Sequence, residues 1–266
     1  MIEKNYTIPI NEQFEKLDGC PVCGLHEKLE RQNLEYIMGA AMMEPNVRVE
    51  TNKTGFCDRH FHDMLAMTNR LSIGLLLESY LDEIDRLTRI DKGCGAKELK
   101  ARAAALTRAN SACFVCERVE STLNKFCENI VFLWRSEPEF REKFQKQPEF
   151  CFNHSMLLFD SAVRVLKRGK YVSLFAEDLF SVTRKKLTPV REDIERFNKS
   201  FDYRNSGKDL GDARLAVENA VEYLSALSYK RVDKAAGDTP PDTSPAPDIR
   251  NSDKPAENRE IPNVGE

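Results

Sequence analysis

Apolar side chains along this chain return every three or four residues far more often than every second one. Val119, Leu123, Phe126, Cys127, Ile130, Leu133 and Trp134 fall on one face of a helix, and Ile73, Leu76, Leu77, Tyr80, Leu81, Ile84 and Leu87 do the same. The spacing predicts helices over both stretches and over residues 25–43. Further on, apolar positions predict helices over 156–166 and 174–187, broken at Lys167-Arg168-Gly169-Lys170. Thr188 followed by Pro189 marks another helix start, because proline's fixed φ and missing N–H suit the first helical position. Asp209 or Gly211 is expected to open a last helix reaching about residue 229. Period-two alternation is scarce, so the predicted fold class is all-α.

The pattern repeats. With Cys20 set on Cys113, an offset of 93 residues, Glu44-Pro45 falls on Glu137-Pro138 and Arg48 on Arg141. One extra residue then brings Phe56-Cys57 onto Phe150-Cys151. Such internal similarity predicts one structural unit used twice. The expected divisions are a first repeat over 1–92, a second repeat with C-terminal helices over 93–230, and a tail over 231–266. The tail, rich in Pro, Asp, Ser and Asn with few bulky apolar residues, lacks the means to bury a core and is expected to be disordered. Residues 91–95, with Gly93 and Gly95, form the expected hinge or turn between the copies.

Each copy carries a Cys-x-x-Cys pair and a Cys-x-x-His pair: Cys20, Cys23, Cys57 and His60, then Cys113, Cys116, Cys151 and His154, with 33 and 34 residues between the pairs. Three thiolates and one imidazole suit tetrahedral Zn²⁺, a borderline-soft ion without d-electron geometry. An iron–sulfur cluster and thiol–disulfide chemistry are the alternatives. A helix of about 20 residues leaving the first pair travels roughly 30 Å. A shorter helix and a few extended residues could bring the second pair back, so each copy is expected to form its own zinc-clamped hairpin. Cys20-Pro-Val-Cys-Gly24 resembles a zinc knuckle, in which Gly24 takes a positive φ; if one site is the weaker or vacant, Glu117 in that place makes it the second. His62 is expected at the surface, His26 is a remote substitute for His60, Cys127 is core, and Cys94 is an exposed thiol.

Composition narrows the function without naming it. The net charge of −3 over 266 residues gives no global attraction to polyanions. Residues 161–191 are the exception: Arg164, Lys167, Arg168, Lys170, Arg184, Lys185, Lys186 and Arg191 stand against only Glu177 and Asp178, and offer a surface for nucleic acid or an acidic protein. The first residues lack a signal pattern and no run approaches the roughly 20 apolar residues that cross a bilayer, so the expectation is a cytoplasmic chain with no membrane role. Unpaired thiols in a reducing compartment favour metal ligation over disulfides. Phosphate-binding glycine loops, a Gly-x-Ser-x-Gly elbow and His-Glu-x-x-His are not found, and the deaminase order of His-x-Glu with Pro-Cys-x-x-Cys is lacking, so no motif supports an enzyme.

Cys20-Pro-Val-Cys23, Glu44-Pro-Asn-Val-Arg48, Gly55-Phe-Cys-Asp-Arg-His60 and Ile73 to Leu81 resemble a group of uncharacterised bacterial proteins with duplicated Cys-x-x-Cys and Phe-Cys-x-x-His motifs. Glu137-Pro-Glu-Phe-Arg141 and Phe150-Cys-Phe-Asn-His154 match the second copy, and Phe201-Asp-Tyr-Arg-Asn205 resembles a C-terminal signature of the group. On the residues alone, that last segment is either an interhelix plug or part of a ligand pocket. The resemblance implies metal binding without an activity. The expected function is therefore a non-enzymatic protein with two structural zinc sites that works as an interaction or regulatory module. A nucleic-acid factor using 161–191 and a thiol or metal redox switch are the alternatives.

Overall fold

The computed structural model describes residues 4–202 and 211–225, and among these the regular structure is all helix, with no strand. In the first copy the helices are α1 (Lys4–Phe14), α2 (Pro21–Met38), α3 (Pro45–Thr54), α4 (Asp58–Ala66) and α5 (Arg70–Thr88). The second copy follows the same order with α6 (Ala96–Ser111), α7 (Phe114–Ser136), α8 (Pro138–Gln145), α9 (Phe152–Val165) and α10 (Gly169–Ser200). A 3₁₀ segment, Gly211–Leu215, leads into α11 (Ala216–Ser225). The tail beyond 231 and the residues Tyr203, Arg204 and Asn205 of the C-terminal signature lie outside the described residues, as does the expected end of the last helix near residue 229.

Local chemistry sets the boundaries. Pro21, Pro45 and Pro138 each stand at a first helical turn, where an N–H would have no partner. The end of α2 is closed from a distance: Asn69 Nδ2 and Ser72 Oγ donate to the Met38 carbonyl at 3.2 and 2.7 Å, while Asn69 Oδ1 caps α5 by accepting from Ser72 N. One expectation is overturned here. Pro189 does not start a helix; α10 runs through it, because the buried stripe Phe175, Leu179, Val182 and Val190 continues across and packing outweighs the lost backbone bond.

Helices α2 and α7 lie side by side at the centre and run antiparallel: Arg118, in the first turns of α7, donates to Asn33 Oδ1 at 2.9 Å and covers the Tyr36 ring near the end of α2. The leading helix of each copy packs on the other copy. Thus α1 lies against α7 and α8, and α6 lies against α3 and α5. Phe14 of α1 joins Phe140, Phe144, Phe150 and Phe175 in an aromatic cluster with ring separations of 4.8 to 6.3 Å, and one buried core takes in both copies. The Pro-x-x-Arg motif docks a short helix on a long one each time: Arg48 Nη2 donates to the Leu75 carbonyl of α5 at 2.6 Å, and Arg141 Nε donates to Asp178 of α10 at 2.8 Å.

Candidate metal centres

Every sequence pair sits at a helix N-terminus in the same way. Cys20, Cys57, Cys113 and Cys151 are the N-cap residues of α2, α4, α7 and α9, and Cys23, His60, Cys116 and His154 follow one turn later. At none of the four does the sulfur make the capping hydrogen bond of the usual Ser or Asp, and each instead lies beside the other donors of its centre. The positive end of each helix dipole stabilises a thiolate there.

The four turns meet in two pairs, and the partners are not those expected. Cys20 and Cys23 meet Cys151 and His154, whereas Cys57 and His60 meet Cys113 and Cys116, each set of ligand atoms lying within 4.8 Å of one another. Each centre takes Cys-x-x-Cys from one copy and Cys-x-x-His from the other. The expectation of a clamp closed inside each hairpin is corrected: α3 is about 15 Å long and packs on α5 and α6 instead of returning along α2, so Cys57 and His60 stay beside the first turn of α7.

At the first centre Cys23 Sγ lies 3.6 Å from Cys151 Sγ, and His154 Nδ1 lies 3.2 Å from the sulfurs of Cys23 and Cys151 and 3.9 Å from that of Cys20. At the second, Cys57 and Cys116 sulfurs are 3.8 Å apart, and His60 Nδ1 is 3.2, 3.2 and 3.4 Å from Cys57, Cys113 and Cys116. A zinc tetrahedron with Zn–S near 2.3 Å and Zn–N near 2.05 Å has edges of about 3.8 Å between sulfurs and about 3.6 Å between sulfur and nitrogen. The donor sets fit. The sulfurs are also too far apart for a disulfide, and all eight cysteines are free.

Charge distribution favours a cation in both places. Burial pushes the Cys20 thiol up, but hydrogen bonds with Cys151, Cys23 and His154 outweigh it and hold the group well below the ordinary thiol value. Hydrogen bonding with Cys116, reinforced by His60 against the effect of burial, holds Cys113 at about 3. Cys23 is pushed up, first by its hydrogen bond with Cys151, and Cys116 first by its bond with Cys113. Cys20 and Cys113 are thus favoured as thiolates while Cys23, Cys116 and Cys151 are pushed toward the protonated thiol, an arrangement a divalent ion relieves by displacing protons.

Two further expectations are corrected. Gly24 lies within α2 without a positive φ, so it is no knuckle glycine, and Glu117 at the matching position of α7 gives no reason for a weaker second site. The glycine that does need its freedom is Gly55, at φ +58 immediately before Phe56-Cys57. Its carbonyl accepts from Phe114 N at 3.0 Å, joining the two halves of the second centre, and a Cβ there would lie 2.5 Å from Tyr80 Oη and 2.7 Å from the Ala109 carbonyl.

The model of DUF6062, a family of unknown function, matches residues 1–231. The chain belongs to this family. Over 211 residues the DUF6062 chain is 21% identical to an uncharacterised 23.9 kDa protein in the xynA 3′ region of Caldicellulosiruptor sp. strain Rt8B.4, a match covering 79% of this chain and 96% of that protein. No solved structure matches. No helix among the described residues of this DUF6062 protein is long and apolar enough to cross a membrane.

Of the remaining candidates, His62 is exposed, Cys127 is fully buried in α7, and Cys94 is only partly exposed. His26 is not a ligand but sets its ring edge-on against His154, with centroids 5.6 Å apart. Sequence reasoning missed Glu30 and Arg59, which pack behind His60. A glutamate among the apolar positions of α2, where the second copy has Leu123, was the available signal.

Proposed function

We propose that this DUF6062 protein is a two-zinc protein whose ions are structural: they staple the sequence copies to one another and hold a helical module that acts by binding another macromolecule. The observation that carries this reading is that each centre gathers three sulfurs and one nitrogen within 4.8 Å of one another, a donor set that fills the four-coordinate shell of a structural zinc and keeps no position for a reacting water. Val217, Val221 and Leu224, exposed at helical spacing along α11, favour a protein as the partner. Elemental analysis of untagged protein with its visible spectrum tests the metal reading. Two zinc ions per chain without colour support it; iron with charge-transfer absorbance, or a chain that takes up no metal, overturns it.

The nucleic-acid reading has less behind it, because much of the basic segment is engaged internally. Lys185 donates to the carbonyls of Gln145 and Gln147, Lys186 lies 3.5 Å from Glu149, and Arg191 pairs with Glu195. Lys167, Arg168, Lys170 and Arg184 remain exposed. Salt-sensitive retention on DNA or RNA that disappears when these four become Glu would restore it. A redox switch has the partly exposed thiols of Cys23, Cys57 and Cys116 in its favour, and requires mild peroxide to eject the metal.

A further inference from the structure

Glu30 is a buried carboxylate, 2% exposed, in the central helix α2. Burying such a charge is costly unless other groups compensate it. Three groups from two elements surround it. The Arg59 guanidinium donates to Glu30 Oε1, and the Nε2 atoms of His60 and His26 each lie 3.6 Å from that oxygen. His60 faces the second centre with Nδ1, so a metal there leaves the proton on Nε2, which lies 3.6 Å from the carboxylate oxygen and 3.2 Å from Arg59 Nη2. His26, on the other side, is the residue whose ring abuts His154 of the first centre.

The chain contains its own comparison. At the offset of 93 Glu30 corresponds to Leu123 and His26 to Val119, and past the one extra residue Arg59 corresponds to Asn153; both Leu123 and Val119 are buried. Packing between α2 and α7 is therefore satisfied by an apolar residue at this position. The carboxylate serves something else.

We propose that Glu30 is a positioning residue for the second metal centre: from α2 it fixes the tautomer and orientation of His60, and through His26 the same carboxylate sets the ring against His154, so one buried group serves both centres. This rests on the zinc reading above. Outer partners of this kind orient ligands and raise their basicity, and their loss typically weakens metal binding by about 10 to 100-fold. Because α2 itself carries Cys20 and Cys23, the helix that supplies half of the first centre also aligns the nitrogen ligand of the second.

The test compares wild type, Glu30→Gln and Glu30→Leu as full-length zinc-loaded chains, challenged with a chelator in the presence of a thiol-alkylating reagent. Modified cysteines are mapped by mass spectrometry. Gln keeps an acceptor for the His60 N–H; Leu, the residue of the second copy, keeps only the packing. The expected order of metal retention at Cys57, Cys113 and Cys116 is Glu, then Gln, then Leu, with about a 10 to 100-fold span in release rate and unchanged helix content before chelation. A variant whose cysteines at both centres are modified at the wild-type rate overturns the proposal while the zinc reading stands. Equal losses for Gln and Leu, with reduced helix content, also overturn it by showing a packing role. Wild-type protein that holds no metal overturns the zinc reading itself.

Discussion

At the scale of residues, the second centre depends on a backbone position as much as on its ligands. Gly55→Ala places a methyl group against Tyr80 and the Ala109 carbonyl at φ +58 and ψ −156, a backbone region essentially confined to glycine that costs an L-residue roughly 1 to 3 kcal/mol. Chemical denaturation of zinc-loaded protein should show a loss of at least about that size, with zinc at Cys57 and Cys113 released more readily than at Cys20 and Cys151. His60 supplies a pH test. Burial pulls its pKa down, but hydrogen bonds with Cys113 and Glu30 prevail and raise it from 6.5 to about 9 in the metal-free chain. That contribution to the metal-free fold is present in full below pH 6.5 and is lost as pH rises through about 9. Zinc reverses the dependence, since it binds only where the proton has left. The rise in Tm on adding zinc should be larger at pH 8 than at pH 6; an equal rise at both would show that no ligand proton leaves on binding.

At the scale of elements, the docking of α8 on α10 rests on Asp178, 15% exposed as a side chain. It accepts from Trp134 Nε1 at 2.9 Å, Arg141 Nε at 2.8 Å and Gln145 Nε2 at 2.9 Å. Asp178→Ala strands a buried indole N–H and part of a guanidinium, and should destabilise by about 2 to 4 kcal/mol. Trp134 is the single tryptophan, so its emission during urea unfolding measures the change directly; a shift below half a kcal/mol, by about the usual error of such measurements, would refute it. The helices themselves were legible from periodicity, and α5, α7 and α9 fall close to where the apolar stripes put them. The continuation of α10 through Pro189 was not, because a local start signal gave way to a buried face that only the neighbouring helices create. The same holds for Gly24, whose spacing suggested a knuckle while the chain simply continued as helix.

At the scale of the molecule, the crossing of the centres has a consequence that within-copy clamps do not share. Replacing both Cys20 and Cys23 by Ser should expose Cys151 to alkylation while Cys57, Cys113 and Cys116 remain protected by their ion. Clamps inside each copy require Cys57 to become reactive instead, so the identity of the modified peptide decides between the two. The eight candidate ligands, their pairing at i and i+3, and the helical setting were determined by the sequence, because spacing on a helix places such side chains on one face without help from the rest of the fold. Which pair meets which was decided only in the tertiary structure. Closure within each copy spans 33 and 34 residues and crossed closure spans 127 and 52, a difference in chain entropy of only about 1 to 2 kcal/mol, and the choice falls to the antiparallel packing of α2 and α7. These helices are about 27 and 35 Å long, so their first turns lie apart along the antiparallel pair, and each meets the Cys-x-x-His turn that the other copy delivers there.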